Sequence, residues 1–115
     1  MTDDKPTGLT LDALYDLVAS RKGADPETSY TAQLYGRGTA KIAQKLGEEA
    51  VEAVIAAVAR DRGETVKESA DVLYHLMVLW ADAGIVPADV YAELIRRQGI
   101  SGHAEKAARK GGSAS

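Results

Sequence analysis

The sequence has no cysteine among its 115 residues. This excludes disulfides, thiolate zinc sites and cysteine nucleophiles together, and it is compatible with a reducing compartment. Long apolar runs are missing as well. The longest, Ala53 to Ala59, has seven residues, against the roughly 18 that a membrane-spanning helix needs. The opening "MTDDKPTG" is polar and carries no apolar segment of the kind that marks a secretory signal. Neither sign of charge dominates. The 14 basic and 17 acidic residues give a net charge of −3, so there is no global attraction to nucleic acid or to an anionic membrane, and any bound anion must meet local positive charge. No segment alternates convincingly as a strand would, and no internal repeat is present. These absences predict a soluble, cytoplasmic protein with neither nucleic acid nor membrane as a partner.

What is present is ordinarily globular: 45% hydrophobic and 27% charged residues. One domain is expected, with a modest core and much to gain from self-association. Thr10 can cap a first helix with apolar Leu11, Leu14, Leu17 and Val18, and Gly23 follows Arg21 and Lys22 as its stop. "GADPETS" reads as a loop before "YTAQLYGRG", one or two helical turns closed by Gly36 and Gly38. A long helix is predicted from Thr39 to about Arg62 and a second from about Glu64 to Ala83, with Gly63 between them; so tight a link favours an antiparallel hairpin. Pro87 suits the first turn of a last helix ending near Gly99. Residues 1–8 are expected to be flexible, 9–110 to form the domain, and 111–115 to be disordered.

The stretch "KLGEEAVEAVIAAVA" poses the central question. At about 100° per residue, Glu48, Glu49 and Glu52 share a face with Lys41 and Lys45, and that face continues into Ala56 and Ala59. A solvated face would stay charged to its end, so these acids are expected near an interior. On the second helix, Glu68, Asp71 and His75 form a narrow polar stripe on an otherwise apolar cylinder. Two such apolar helices exceed what the short helices can cover, which predicts an obligate homodimer. The expected architecture is an all-α bundle of four to five helices, built on the long antiparallel hairpin and completed by homodimerisation.

Closing that hairpin sets Glu49 and Glu52 against Glu68 and Asp71. Four converging carboxylates repel one another unless protons or cations neutralise them. Oxygen-only donors suit a hard cation, Mg²⁺ or Mn²⁺, which polarises phosphates and activates water. Each element also has a plainer reading. The "EEAVE" acids could form an exposed face paired with the lysines, and Glu68 could close a capping box with Thr65. His75 is more often a satisfied core histidine, or one supporting a metal ligand from behind, than a ligand itself.

The spacing EExxE at 48–52 and ExxD at 68–71 resembles the signature of the MazG-like all-α nucleotide pyrophosphatase superfamily. Within it, "SYTAQLYGRGTAKIAQKLGEEAVEAVIAA" and "ESADVLYHLMVLW" resemble the phosphoribosyl-ATP pyrophosphatase family of histidine biosynthesis, in its stand-alone form. The resemblance implies Mg²⁺-dependent hydrolysis of phosphoribosyl-ATP between its α and β phosphates, giving phosphoribosyl-AMP and pyrophosphate. It also implies metal ligands at Glu49, Glu52, Glu68 and Asp71, with Glu48 as a water-orienting or supporting carboxylate. Lys45, then Lys41 and Arg37, with Arg21 and Lys22 at the end of the first helix, are the candidate phosphate partners. Tyr30 and Thr31 are expected to line the substrate pocket, and His75 to stand behind the ligands. The alternatives are a house-cleaning nucleoside triphosphate pyrophosphatase with the same metal site, a di-iron carboxylate bundle, which would want Glu-x-x-His pairs, and a non-enzymatic dimeric helical module.

Overall fold

A computed structural model of the chain describes residues 8–99. The expectations for residues 1–7, for the tail "GISGHAEKAARK" beyond Gly99 and for 111–115 lie outside them. Among the described residues every regular element is helical: α1 (Leu11–Ala19), α2 (Tyr30–Arg37), α3 (Thr39–Val58), α4 (Arg62–Ala83) and α5 (Pro87–Gln98). The first four belong to one compact unit and α5 to a second. No single helix among the described residues is long and apolar enough to cross a membrane.

Local chemistry sets the helix ends. Thr10 Oγ1 accepts the Ala13 N–H at 3.1 Å, Ser29 Oγ accepts the Ala32 N–H at 3.1 Å, and Asp61 Oδ1 accepts the Glu64 N–H at 3.0 Å. The last bond corrects the expected start of α4. Asp61 is its cap, so Gly63 lies inside the first turn rather than in the link, and Thr65 donates its hydroxyl to Asp61 O at 2.7 Å instead of capping anything with Glu68. Gly38 ends α2 and starts α3 at once, with φ 93°, a conformation that L side chains rarely adopt. In α5, taken by itself, Val86 N–H donates to Asp89 Oδ2 at 3.0 Å at the start, and Glu93 is gripped by Arg96 at 2.7 Å and Arg97 at 2.9 Å. Those two guanidiniums lower the Glu93 carboxyl to about 2.

The antiparallel pair α3 and α4 is the frame of the first unit, and α1 and α2 pack against one end of it. Its fully buried side chains are Val18, Leu34, Ile42, Met77 and Val78, one or two from each helix, so the core lies at the open end of the hairpin. That end is tied by Thr39 Oγ1 donating to Asp82 Oδ2 at 2.6 Å. Lys22 Nζ donates to Ala81 O at 2.7 Å while lying 5.6 Å from the Tyr35 ring centroid. Lys22 is therefore committed to the negative C-terminal end of α4, not to a phosphate. Tyr35 donates its hydroxyl to Val18 O at 3.0 Å, and burial pushes this phenol up to about 12.

At the closed end no other helix of the first unit covers α3 and α4. Val51, Val54, Ile55 and Val58 on α3, together with Val66 and Leu73 on α4, are exposed in the single chain, Val58 at 79%. The four α3 positions follow helical spacing and form one stripe. The two helices expected to be covered on every side are thus covered by their own chain only in part.

The link between them is three residues long and ends α3 with paired bonds, Arg60 N–H to Ala57 O and Asp61 N–H to Ala56 O, both 3.0 Å. This arrangement needs a left-handed residue. Arg60 fills the role at φ 60° and is the only non-glycine with positive φ among the described residues. Arg60→Gly should therefore stabilise the metal-free protein by about 1 kcal/mol, read as a higher urea midpoint at equal chain concentration. An unchanged or lower midpoint would contradict this account of the turn.

Candidate active site

The antiparallel register brings the acidic stripes together midway along the hairpin. Thr39 stands opposite Asp82 at the open end, so Glu49 comes level with Asp71, Glu52 with Glu68, and Lys45 with His75. Oxygens of Glu49, Glu68 and Asp71 all lie within 4.8 Å of one another. Glu68 sits at the centre and is only 8% exposed. Its Oε1 is buried with no hydrogen-bond partner, an expensive condition for a carboxylate oxygen. Glu52 is exposed on the flank of the cluster and interacts with Glu68.

The electrostatics report the crowding. The Glu52 carboxyl is raised above its ordinary value, chiefly by the charge of Glu68. Glu68 is raised because it can share a proton with Glu49, and further because it is buried and faces Asp71. The exposed Glu48 points the other way. It accepts from Gln44 Nε2 at 2.8 Å and pairs with Lys45 Nζ at 3.5 Å, and these contacts, Gln44 first, hold its carboxyl below the usual range. The structure therefore groups Glu49, Glu68 and Asp71, sets Glu52 outside that group but against Glu68, and leaves Glu48 on the rim with Lys45. Lys41 is half-buried one turn before Lys45, and Arg37 is exposed in the last turn of α2.

His75 is buried, 5% exposed, and its Nδ1 lies 2.8 Å from Asp71 O. A backbone carbonyl can only accept, so Nδ1 carries the hydrogen and the ring is anchored to the helix turn that presents Asp71. Its Nε2 is buried and without a partner. Thr31 is buried and shares a hydrogen bond with the Tyr74 hydroxyl. The Tyr74 ring meets His75 edge-on, with centroids 5.0 Å apart, and stacks with Tyr30 at 6.4 Å. Burial raises the Tyr74 phenol, with its hydrogen bond to Thr31 opposing. Sequence reading passed over Tyr74; its position three residues after Asp71 was the available signal.

On the other side of the cluster, an open cleft of about 290 Å³ runs to the closed end of the hairpin, lined by Glu52, Ile55, Ala56, Ala59, Asp61, Glu64 and Glu68. Its lining combines four carboxylates with Ile55, Ala56 and Ala59 and contains no cationic side chain. The cationic side chains nearest the cluster, Lys41 and Lys45, lie on α3 on the side away from this cleft.

The cluster's donor set is oxygen only, and Glu68 Oε1 is a buried acceptor that no side chain serves. Both features fit a hard divalent cation. Comparisons with known proteins give the family. The family model described as phosphoribosyl-ATP pyrophosphohydrolase matches residues 11–98. The phosphoribosyl-ATP pyrophosphatase of Azospirillum brasilense is 64% identical over 110 residues, covering 96% of this chain and 99% of that one. The chain is also similar to the same-named proteins of Paramagnetospirillum magneticum, 62% identical over 86% of this chain and 91% of theirs, and of Rhodospirillum rubrum, 63% identical over 87% and 86%.

The raised carboxyls have a consequence for stability. An acid whose folded value lies above its unfolded value stabilises the fold below the unfolded value, and that contribution is lost as pH rises through the folded value. Glu52 and Glu68 are both raised from 4.5, so metal-free protein should melt higher in mildly acidic buffer than at pH 7. Glu48 and Glu93, both lowered, oppose this only as pH falls below 4.5. Calorimetry across this range should show the rise on acidification, and Glu68→Gln should flatten it. A melting temperature that only falls as pH is lowered from 7 would contradict the crowding.

Proposed function

Because the chain belongs to the phosphoribosyl-ATP pyrophosphohydrolase family, we propose that the carboxylates joined across its helical hairpin hold Mg²⁺ for the reaction of that family. The chain is a hydrolase of histidine biosynthesis that converts phosphoribosyl-ATP to phosphoribosyl-AMP and pyrophosphate. A water oxygen bonds to the α-phosphorus, the bridge to the β-phosphorus breaks, and pyrophosphate leaves. The observation that carries the metal reading is the buried, unserved Oε1 of Glu68 amid Glu49, Asp71 and Glu52.

In this reading Glu49, Glu52, Glu68 and Asp71 hold the cation, with Mn²⁺ able to substitute. Once bound, it supplies charge neutralisation on the non-bridging phosphate oxygens and a more acidic water. The other tasks fall to side chains. Lys45 swings from Glu48 to a phosphate, with Lys41 and Arg37 behind it. Released from that pair, Glu48 accepts a hydrogen bond from the attacking water. His75 keeps the Asp71 turn in place. Tyr30 and Thr31 lie on the substrate side of α2. The enzyme works in the cytoplasm.

The same reading includes a homodimer. The apolar stripe Val51, Val54, Ile55 and Val58 lies at the end of the hairpin where no other helix of the first unit packs, and a second copy is the simplest cover for it. Sedimentation at low micromolar concentration should give twice the 12.2 kDa chain mass, and Val54→Asp with Val58→Asp should abolish the assembly. A well-folded wild-type monomer would sink the dimer.

Pyrophosphate, not single phosphate, should be released from phosphoribosyl-ATP only when a divalent cation is present. Alanine at Glu49, Glu52, Glu68 or Asp71 should each lower turnover by orders of magnitude, and Lys45→Ala by less. Deoxynucleoside triphosphates lack the second ribosyl phosphate, whose remote binding helps to position the α-phosphate, and should be poor substrates. A deoxynucleotide preferred tenfold at equal concentration would move the assignment to a house-cleaning pyrophosphatase.

A further inference from the structure

The substrate of the proposed reaction carries a purine ring, and the carboxylate cluster offers it nothing. Apolar stacking surface is scarce in this chain. Among the described aromatic side chains of the first unit, Trp80 is buried, Tyr15 is half-buried, and Tyr35 is committed to Val18 O with Lys22 over its ring. Tyr30 alone is exposed, at 49%, and it is not loose. It stacks with Tyr74 at 21° between ring planes, Tyr74 is fixed through its hydroxyl to buried Thr31 and by its edge contact to His75, and His75 is anchored on Asp71 O. A ladder of three rings therefore runs from an open aromatic face to the helix turn that carries a cluster carboxylate. Tyr74 follows Asp71 by three residues, a rise of about 4.5 Å along α4, so the open face lies within the reach of one nucleoside from a phosphate held at the cluster.

We propose that Tyr30 is the stacking platform for the purine ring of the substrate, and that Tyr74 is the positioning residue that holds Tyr30 at that distance from the metal-binding carboxylates. Aromatic surface selects this side of the cluster. The cleft on the other side is ringed by Glu52, Asp61, Glu64 and Glu68 and has no aromatic lining. Purine stacking on an aromatic side chain contributes about 1–3 kcal/mol, and an aromatic face held in advance loses little conformational freedom on binding. Thr31 thus acts through Tyr74, as an anchor for the platform, without touching the ligand.

The inference rests on the pyrophosphohydrolase reading, and the two reaction products separate their fates. Both products bind the same site, but only phosphoribosyl-AMP carries the purine. Tyr30→Ala should weaken product inhibition by phosphoribosyl-AMP roughly tenfold and raise KM for phosphoribosyl-ATP by a similar factor. Inhibition by pyrophosphate and the Mg²⁺ concentration for half-maximal activity should stay within twofold. Tyr30→Phe should restore wild-type behaviour, which a merely structural hydroxyl would not permit. Tyr74→Phe, which keeps the ring but loses the bond to Thr31, should raise KM severalfold with little change in kcat. If Tyr30→Ala leaves phosphoribosyl-AMP inhibition unchanged, or weakens pyrophosphate inhibition equally, the platform is refuted while the hydrolase reading stands. Wild-type protein that releases no pyrophosphate from phosphoribosyl-ATP with Mg²⁺ removes both.

Discussion

The mutual repulsion of carboxylates across the α3–α4 seam is the constraint around which this small fold is organised. Glu49 and Asp71 stand level, Glu52 and Glu68 stand level, and Glu68 is buried between helices with one oxygen unserved. With the carboxyls ionised, nothing in that arrangement favours folding in the absence of a cation. It persists because the hairpin is fastened elsewhere: by Ile42, Met77 and Val78 packed under α1 and α2, by Thr39 on Asp82, and by Lys22 on the end of α4. The packed end supplies the stability that the middle of the hairpin lacks. A binding site held against its own charge is pre-organised for the ligand that neutralises it.

Function follows from how unlike groups are sorted along this one seam. The lysines of α3 lie toward the packed end and the acid-lined cleft toward the turn, so the seam carries a gradient of charge along its length. The aromatic ladder from Tyr30 to His75 comes in from α2 and reaches the same turn of α4 that presents Asp71. Beyond the cluster the hairpin runs on past the other helices of the first unit and presents an apolar stripe. Carboxylate cluster and exposed apolar stripe are thus successive stretches of the same two helices.

Much of this was legible in the sequence, because helical period alone places Glu49 with Glu52 and Glu68 with Asp71, and a short link makes the two pairs meet. The prediction failed where backbone chemistry admits more than one solution. Gly63 was the natural link residue by propensity, yet Arg60 takes the left-handed position three residues earlier and Asp61 caps α4. Glu68 read alone resembles half a capping box; only the register across the hairpin shows that its side chain turns inward. Spacing could not separate Glu48 from Glu49, since neighbours on a helix differ by 100° and both border the acidic face. Packing separates them, leaving Glu48 with Gln44 and Lys45. Tyr74 was hidden among apolar neighbours, and its role emerges only when α2 is brought against α4.

The claim that the carboxylate cluster is frustrated until a cation arrives is tested most directly by counting protons. If Glu52 and Glu68 hold protons more readily than isolated carboxyls, binding Mg²⁺ in mildly acidic solution must expel them. Titration calorimetry of the metal-free protein with Mg²⁺, repeated in buffers of different ionisation enthalpy, measures that number. The account predicts net proton release that shrinks toward zero as the pH is raised to 8 and is reduced in Glu68→Gln. Binding of Mg²⁺ with no proton release at any pH, or release untouched by Glu68→Gln, would contradict it.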